Sequence, residues 1–310
     1  MKKALAVLVA LVLVAAGTVW VLSAPTRMSA ADSALLSEGS PDRGEFVFWA
    51  GGCASCHAAK GAEGDDLLKL GGGLRLETPF GVFVAPNISS SASDGIGAWT
   101  LTDFADAMTH GTSPDGRNYY PAFPYTSYAR MSAEDLGDLF AFMKSLPAVA
   151  GKAAAHELGF PFNIRRALGL WKRLFLKPAA VIAAPSGDGE VDPELWQRGR
   201  YLVEGPGHCG ECHTARNLAG GLILTDWLGG APAPTGEGRI PNITPGASEF
   251  GSWSASDIAY YLESGFTPDY DSVGGEMVHV QENMARLPAQ DRDAIAAYLK
   301  AIPPVVPAAD

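Results

Sequence analysis

Two short motifs in the sequence have two cysteines, two residues apart, followed directly by a histidine. They are Cys53-Ala54-Ser55-Cys56-His57 and Cys209-Gly210-Glu211-Cys212-His213, and they contain all four cysteines of the chain. This pattern is typical of haem c attachment, in which both thiols bond to the haem vinyl groups and the histidine ligates the iron. We therefore predict two covalently bound haem c groups, with His57 and His213 as iron ligands.

Two other uses of a Cys-x-x-Cys pair have to be weighed, namely a thioredoxin-like redox pair and half of a zinc site. A redox pair has no use for the histidine that follows the second cysteine. A zinc site needs further thiol or imidazole ligands at finger-like spacing. Both readings are therefore less favoured than haem attachment.

The length and charge of the chain limit its organisation and its partners. It has 310 residues, enough for two domains that each bury a core, and a net charge of -11. Binding to nucleic acid needs a basic surface, so no nucleic acid is expected as a partner. The acidic surface serves solubility or docks a basic partner.

The N-terminus carries an apolar segment of membrane-spanning length. Residues 4–24 contain no charged residue and follow Lys2 and Lys3. Such a segment spans the hydrocarbon core, and the lysines keep the start of the chain in the cytoplasm. We expect this segment to stay as an anchor in the bacterial inner membrane, with the rest of the chain on the periplasmic side. Removal as a signal peptide, with Ser29-Ala30-Ala31 as the cleavage site, is the alternative.

The two halves of the chain repeat each other. The second Cys-x-x-Cys-His motif lies 156 residues after the first, and Trp253 and Asp257 lie 154 residues after Trp99 and Asp103. The chain therefore contains two copies of one unit.

Each copy is predicted to contain three helices. The first begins at Ser40-Pro41 or Asp192-Pro193, where an N-cap residue precedes a proline at the first helical position. The second begins at Thr100 or Ser254, each with an aspartate three residues later in a capping-box arrangement, and ends at a glycine. The third has an apolar stripe that is expected to pack on the first helix.

Several segments of the first copy match sequence motifs of one known family. They are Thr78-Pro79-Phe80-Gly81, Pro86-Asn87-Ile88, Gly95-Ile96-Gly97-Ala98-Trp99 and Tyr120-Pro121-Ala122-Phe123-Pro124-Tyr125. With the repeat, they make the chain resemble class I cytochromes c, and in particular the cytochrome c subunits of membrane-bound bacterial alcohol and gluconate dehydrogenases. Those subunits usually carry three haems, whereas this chain has motifs for two.

The resemblance implies an all-α fold of two tandem class I cytochrome c domains joined by a helical linker, plus an N-terminal hydrophobic helix. The expected boundaries are 1–31 for the membrane anchor or signal peptide, 40–148 for the first domain, 149–192 for the linker and 193–304 for the second domain.

The second iron ligand of an electron-transfer haem is usually a methionine, which raises the reduction potential. In the second copy we predict Met277, in the loop before the final helix, as this ligand. A methionine packed in the core is the alternative, and His279 is a further candidate ligand.

The equivalent position in the first copy falls at Phe123, which has no sulfur. Relatives with phenylalanine there tend to have a methionine where Met131 stands, so the resemblance implies Met131 as the ligand. The alternatives are an open iron, ligation by His110, and a purely apolar contact of Met131 ahead of Ser132.

Arginine, asparagine and tryptophan residues recur at matching places in the long loops after the motifs. Haem propionates are anionic and need hydrogen-bond donors when buried, so these side chains are candidate partners. Loop scaffolding is the alternative. The residues are Arg75, Asn87, Trp99, Arg239, Asn242 and Trp253.

The linker contains a basic amphipathic segment. Ile164, Leu168, Trp171 and Phe175 follow one side, and no acidic residue occurs between Glu157 and Asp188. We expect a strap packed across both domains. A helix on an anionic membrane surface is the alternative.

Our leading hypothesis is an exported dihaem cytochrome c that relays single electrons from a periplasmic dehydrogenase to the respiratory chain. The acceptor would be quinone, an oxidase or another cytochrome, and the chain would be an electron-transfer protein or subunit without catalytic residues. The rival is a dihaem enzyme, peroxidase-like or thiosulfate dehydrogenase-like, with a reactive first haem. Its support is the missing methionine at Phe123. A haem-based sensor is the third possibility, but no output domain is visible in the sequence.

Overall fold

The computed structural model describes residues 1–186, 191–233 and 238–306. The helices up to the end of the first copy are α1 (Lys2–Leu22), α2 (Ala30–Ser33), α3 (Pro41–Ala50), α4 (Cys53–His57), α5 (Leu101–His110), α6 (Tyr125–Tyr128) and α7 (Ala133–Ser145). Those that follow are α8 (Leu168–Phe175), α9 (Pro193–Glu204), α10 (Gly210–His213), α11 (Ala255–Ser264), α12 (Met277–Met284) and α13 (Ala289–Lys300). Short 3-10 turns occupy Gly64–Leu68, Arg165–Ala167, Leu224–Asp226 and Phe250–Ser252.

The expectation of an all-α fold is wrong for the long loops, which form two small antiparallel sheets. Their strands are β1 (Arg75–Thr78), β2 (Gly81–Val84), β3 (Glu157–Leu158), β4 (Ala231–Pro232) and β5 (Arg239–Ile240). β1 pairs with β2, and β3 from the linker pairs with the other edge of β2. The loops pair with themselves because their backbone groups need hydrogen-bond partners. Gly81 has a φ of +121°, and a Cβ there would overlap the Glu157 carbonyl.

The predicted helix starts are observed. α3 and α9 each have proline in the first turn, and the Asp192 carboxylate accepts hydrogen bonds from two backbone N–H groups of α9. The capping boxes at Thr100 and Ser254 are confirmed. Ser40 differs from the expectation, because its side chain makes no capping bond. Its backbone N–H instead donates to Asp138 at 2.6 Å.

The first and last helices of each copy cross at a glycine. A Cβ on Gly44 in α3 would overlap the carbonyl of Asp138 in α7, and a Cβ on Gly199 in α9 would overlap the carbonyl of Ala294 in α13. The backbones therefore touch at the crossing, and aromatic side chains pack beside it. These contacts are Phe48 with Phe142, at 5.2 Å between ring centroids, and Trp196 with Tyr298, at 5.7 Å.

The predicted apolar stripes of the third helices are buried, which confirms that they face the core. Their members are Leu139, Phe142, Met143, Leu146, Ile295, Tyr298, Leu299 and Ile302.

Helix α8 of the linker contacts both copies, as expected for a strap. The buried Lys172 Nζ donates to the His110 carbonyl at 2.7 Å and to Thr112 Oγ1 at 3.1 Å. Burial lowers the pKa of Lys172 to about 8. Trp171 Nε1 donates to the Ala219 carbonyl of the second copy at 2.8 Å. Residues 187–190 of the linker lie outside the described residues.

The crossing predicts that a single methyl group at either glycine destabilises the protein. We expect Gly44→Ala and Gly199→Ala each to lower the free energy of unfolding by about 1–3 kcal/mol, because overlap with a carbonyl outweighs the helix preference of alanine. Chemical denaturation followed by far-ultraviolet circular dichroism measures the effect. Gly159→Ala is the matched control, because nothing lies within 4 Å of a Cβ there. Equal midpoints for all three variants and the wild type would contradict the close crossing.

Candidate haem sites

Each Cys-x-x-Cys-His motif lies on a short helix directly after the first helix of its copy. α4 follows α3 after a two-residue turn, in which Gly52 has a φ of +57°. In the second copy the ring of Trp227 lies where a side chain on Gly210 would be. Two thiols and one imidazole therefore emerge within one or two turns of backbone in each copy.

The histidine of each motif is oriented by a proline carbonyl. His57 Nδ1 is 2.8 Å from the Pro86 oxygen, and His213 Nδ1 is 2.8 Å from the Pro241 oxygen. Since a carbonyl only accepts, Nδ1 carries the proton and Nε2 is free to bind a metal. Burial lowers the pKa of both histidines, which favours the neutral, ligating form.

These two prolines were missed as functional residues in the sequence. The repeated Pro-Asn-Ile motif could have indicated them, because it marks the same loop position in both copies.

The cysteines suit haem attachment better than a redox pair or a zinc site. Burial raises the pKa of Cys53 and of Cys209 to about 12, so both are protonated thiols at neutral pH. Reactive redox cysteines are thiolates with a lowered pKa, so this environment does not suit a redox pair. Among the described residues, no group of three His, Cys, Asp or Glu side chains could hold a metal ion. Two thiols and a neutral imidazole per motif form the donor set that haem c requires.

The two motifs lie against each other across the interface between the copies. Ser55, inside the first motif, accepts a 2.9 Å hydrogen bond from Asn283 Nδ2 in α12 of the second copy. Glu211, inside the second motif, accepts hydrogen bonds from Thr126 at 2.8 Å and Ser127 at 3.1 Å in the first copy. The contacts are thus reciprocal.

An electrostatic effect and a further contact also show that the motifs lie close to each other. The charge of Cys212 is one of the causes that raise the pKa of Cys56, after burial. His208, directly before the second motif, has Nε2 at 3.2 Å from the Gly51 carbonyl, just before the first motif. No pattern in the sequence marks this arrangement, because the contacting residues differ between the copies.

The family of this chain is shown by its similarity to known proteins. The cytochrome c family profile matches residues 41–147. A diheme c-type cytochrome of Cereibacter sphaeroides is 51% identical over 308 residues, which cover 98% of this chain and 100% of that protein. This chain belongs to the dihaem c-type cytochromes.

Two dehydrogenase subunits are also similar to the cytochrome. The fructose dehydrogenase cytochrome subunit of Gluconobacter japonicus is 37% identical over 85% of this chain and 53% of its own length. The cytochrome c subunit of alcohol dehydrogenase (quinone) from Gluconacetobacter polyoxogenes is 36% identical over 89% of this chain and 58% of its own length. The cytochrome therefore spans a little over half of these subunits, and the expected resemblance is confirmed.

The two predicted methionine ligands lie in different settings. Met131 is buried, with 8% of its surface exposed, and belongs to the apolar core next to the start of α7. Met277 is half-buried and packs against the same core. The expectation that it lies in a loop is wrong, because it is the first residue of α12. Ligation by Met131 and Met277 stays a prediction for both haems.

The other candidate ligands are held in ways that suit structural roles. His279 is exposed and lies 3.4 Å from Glu282, as a surface histidine does. His110 ends α5, where its Nδ1 is 2.8 Å from Thr109 Oγ1. Met108 and Met143 are buried within α5 and α7, which agrees with core packing.

The structure favours scaffolding for three of the predicted propionate partners. Asn87 Nδ2 donates to the carbonyls of Val149 and Gly151, both at 2.8 Å. Asn242 Nδ2 likewise donates to the Val305 carbonyl at 2.7 Å. Arg75 forms a two-pronged ion pair with Glu157, at 2.9 and 2.8 Å. The donors that were assigned to propionates therefore tie the long loops to the chain that follows each copy.

The roles of Trp99, Trp253 and Arg239 stay predictions. Trp253 is buried beside Tyr261, at 5.4 Å between ring centroids, and Arg239 is exposed on β5.

Replacing Met131 by leucine tests its predicted role. Leucine has a similar volume and should cost less than about 1.5 kcal/mol of stability, but it has no sulfur to bind iron. We expect one of the two haems to become high-spin in the oxidised protein and its reduction potential to fall. Electron paramagnetic resonance and a redox titration measure these changes.

Met143→Leu is the matched control, because Met143 is also buried and lies within helix α7. Unchanged low-spin signals in Met131→Leu would show that Met131 only packs in the core.

Proposed function

We propose that the protein is an exported dihaem cytochrome c that relays single electrons from a dehydrogenase to the respiratory chain. Cys53, Cys56, Cys209 and Cys212 would attach the two haems, and each copy would be one class I cytochrome c domain. The donor would be a periplasmic dehydrogenase, and the acceptor would be quinone, an oxidase or another cytochrome.

The observation that carries this proposal is the reciprocal packing of the two motifs. Ser55 contacts α12 of the second copy, and Glu211 contacts α6 of the first copy. A relay needs its two redox centres held at a fixed short separation, and these contacts hold the attachment sites together.

The residues of this chain supply position and environment, whereas the bound haems supply the electron chemistry. His57 and His213 are kept in one tautomer and one orientation by proline carbonyls. Met131 and Met277 would complete the iron coordination and raise both potentials. No substrate is transformed in this function, so no catalytic residue is required.

We further propose that α1 is retained as an anchor in the inner membrane. α1 is long and apolar enough to span a membrane, a test that a signal peptide also passes. The chain after it is built into the fold. Arg27 Nη1 donates to the buried Asp106 carboxylate at 2.9 Å, and the backbone N–H of Met28 donates to it at 2.7 Å.

Cleavage after Ala31 would remove both of these donors to Asp106. A buried carboxylate without its cationic partner costs several kcal/mol. The contacts of Arg27 and Met28 with Asp106 therefore support the proposed retention of residues 1–31.

Mixing the reduced protein with respiratory membranes tests the relay. We expect inner membranes of the source bacterium to oxidise both haems without any small-molecule substrate, because the membranes contain the acceptor. Stopped-flow absorbance at the haem bands follows the reaction. Cyanide-treated membranes, with the terminal oxidases blocked, are the control and should support little sustained oxidation.

The relay would be contradicted if the haems stayed reduced with active membranes while the protein turned over hydrogen peroxide or thiosulfate. That result would assign the chain to dihaem enzymes with a reactive first haem.

A further inference from the structure

The end of α1 is fixed directly to the folded body, without a flexible spacer. Ser23, the residue after α1, is only 2% exposed and lies against Gly169 in α8. Thr112 Oγ1 donates to the Thr26 carbonyl at 2.7 Å, and Arg27 pairs with Asp106. The position of α1 in a bilayer therefore also sets the position of the body.

Helix α8 and the turn before it bind the last carbonyls of α1. Arg173 Nε donates to the Leu22 carbonyl at 2.6 Å, and Arg166 donates to the Trp20 carbonyl at 2.6 Å and to Ser23 Oγ at 3.0 Å. The Arg166 guanidinium also lies 4.1 Å from the centre of the Trp20 ring. Cations at a helix C-terminus satisfy free carbonyls and complement the helix dipole.

The length of α1 places this junction at the membrane surface. A helix of 21 residues is about 30 Å long, which matches the hydrocarbon thickness of a bilayer. If the whole of α1 spans, Trp20 and Leu22 lie at the interface, where tryptophan is favoured. α8 must then lie at the same level, because it contacts these residues.

The linker segment that binds the end of α1 has, together with Trp20, the composition of a membrane-contacting face. Its apolar side chains are unusually exposed for their size: Trp20 65%, Phe160 81%, Phe162 45%, Ile164 46% and Leu174 66%. The segment also contains basic residues and no acidic residue between Glu157 and Asp188, in a chain of net charge -11. Of its basic side chains, Arg173 and Lys177 are exposed and Arg165 and Arg166 are half-buried.

We propose that this surface, here called the bilayer face, rests on the anionic lipid surface of the membrane. The bilayer face consists of Trp20, Phe160, Phe162, Ile164, Arg166, Arg173, Leu174 and Lys177. Its apolar side chains enter the interface. Lys177, together with the N–H groups of Arg166 and Arg173 that do not bind α1, pairs with lipid phosphates. The inference rests on the proposed retention of α1 as an anchor, and it adds that the haem-binding body is held in one fixed orientation on the bilayer.

Hydroxyl-radical footprinting of the full-length protein tests the bilayer face. The protein is placed in nanodiscs of phosphatidylcholine with phosphatidylglycerol, in nanodiscs of phosphatidylcholine alone, and in detergent micelles. Oxidation of Phe160, Phe162 and Leu174 is measured by mass spectrometry relative to Tyr270, an exposed residue in the loop between α11 and α12. We expect a several-fold loss of oxidation in anionic nanodiscs compared with micelles, and a smaller loss in phosphatidylcholine.

A charge reversal distinguishes electrostatic binding to the lipid from steric shielding of these side chains by the nanodisc. Lys177→Glu should reduce the protection in anionic nanodiscs, because it puts a negative charge on the bilayer face. Lys60→Glu reverses an exposed charge beside the first motif and should leave the protection unchanged.

The outcomes distinguish this inference from the proposed function. If Leu8, Leu11 and Leu13 of α1 are protected in nanodiscs but Phe160, Phe162 and Leu174 are oxidised as in micelles, the bilayer face is wrong and the anchor stands. The exposed apolar surface would then be a site for a protein partner. If the α1 side chains are oxidised as well, the anchor itself is wrong.

Discussion

The hydrogen bond between each motif histidine and a proline carbonyl is the constraint on which the rest of this structure depends. In each of the two rings, His57 and His213, it occupies Nδ1 and leaves Nε2 as the nitrogen that can bind iron. The same bond draws the long loop after each motif back over it, because Pro86 and Pro241 lie in those loops. The asparagine after each proline then ties the loop to the chain that follows the copy.

The two copies share this scheme but differ where they meet. The glycine crossings and capping boxes are repeated in both, whereas Asn283 with Ser55 and Glu211 with Thr126 join unlike residues. The duplication thus conserves what holds each motif, and the contacts that fix the motifs relative to each other are unique to each side. The linker in turn is bound to the second copy, since the buried Glu204 of α9 accepts hydrogen bonds from the backbone N–H groups of Val181 and Ile182.

Much of this structure could be predicted because its causes are local in sequence. Caps, prolines at helix starts and apolar stripes act over a few residues, so α3, α5, α7 and their counterparts were expected at their observed places. The sheets were missed because their strands are only two to four residues long and lie in glycine-rich loops. The ion pair of Arg75 could not be predicted, because its partner, Glu157, comes from the linker far along the chain. Contacts between the copies, such as His208 with Gly51, leave no pattern in one sequence.

The proposed function depends on two haems that are covalently attached to one duplicated chain. Intact mass spectrometry of the denatured, exported protein tests it most directly. We expect the mass of the polypeptide plus two haem groups. After digestion, one haem-bearing peptide should contain Cys53 and Cys56 and the other Cys209 and Cys212. A mass equal to the polypeptide alone, or to the polypeptide plus a single haem, would contradict it.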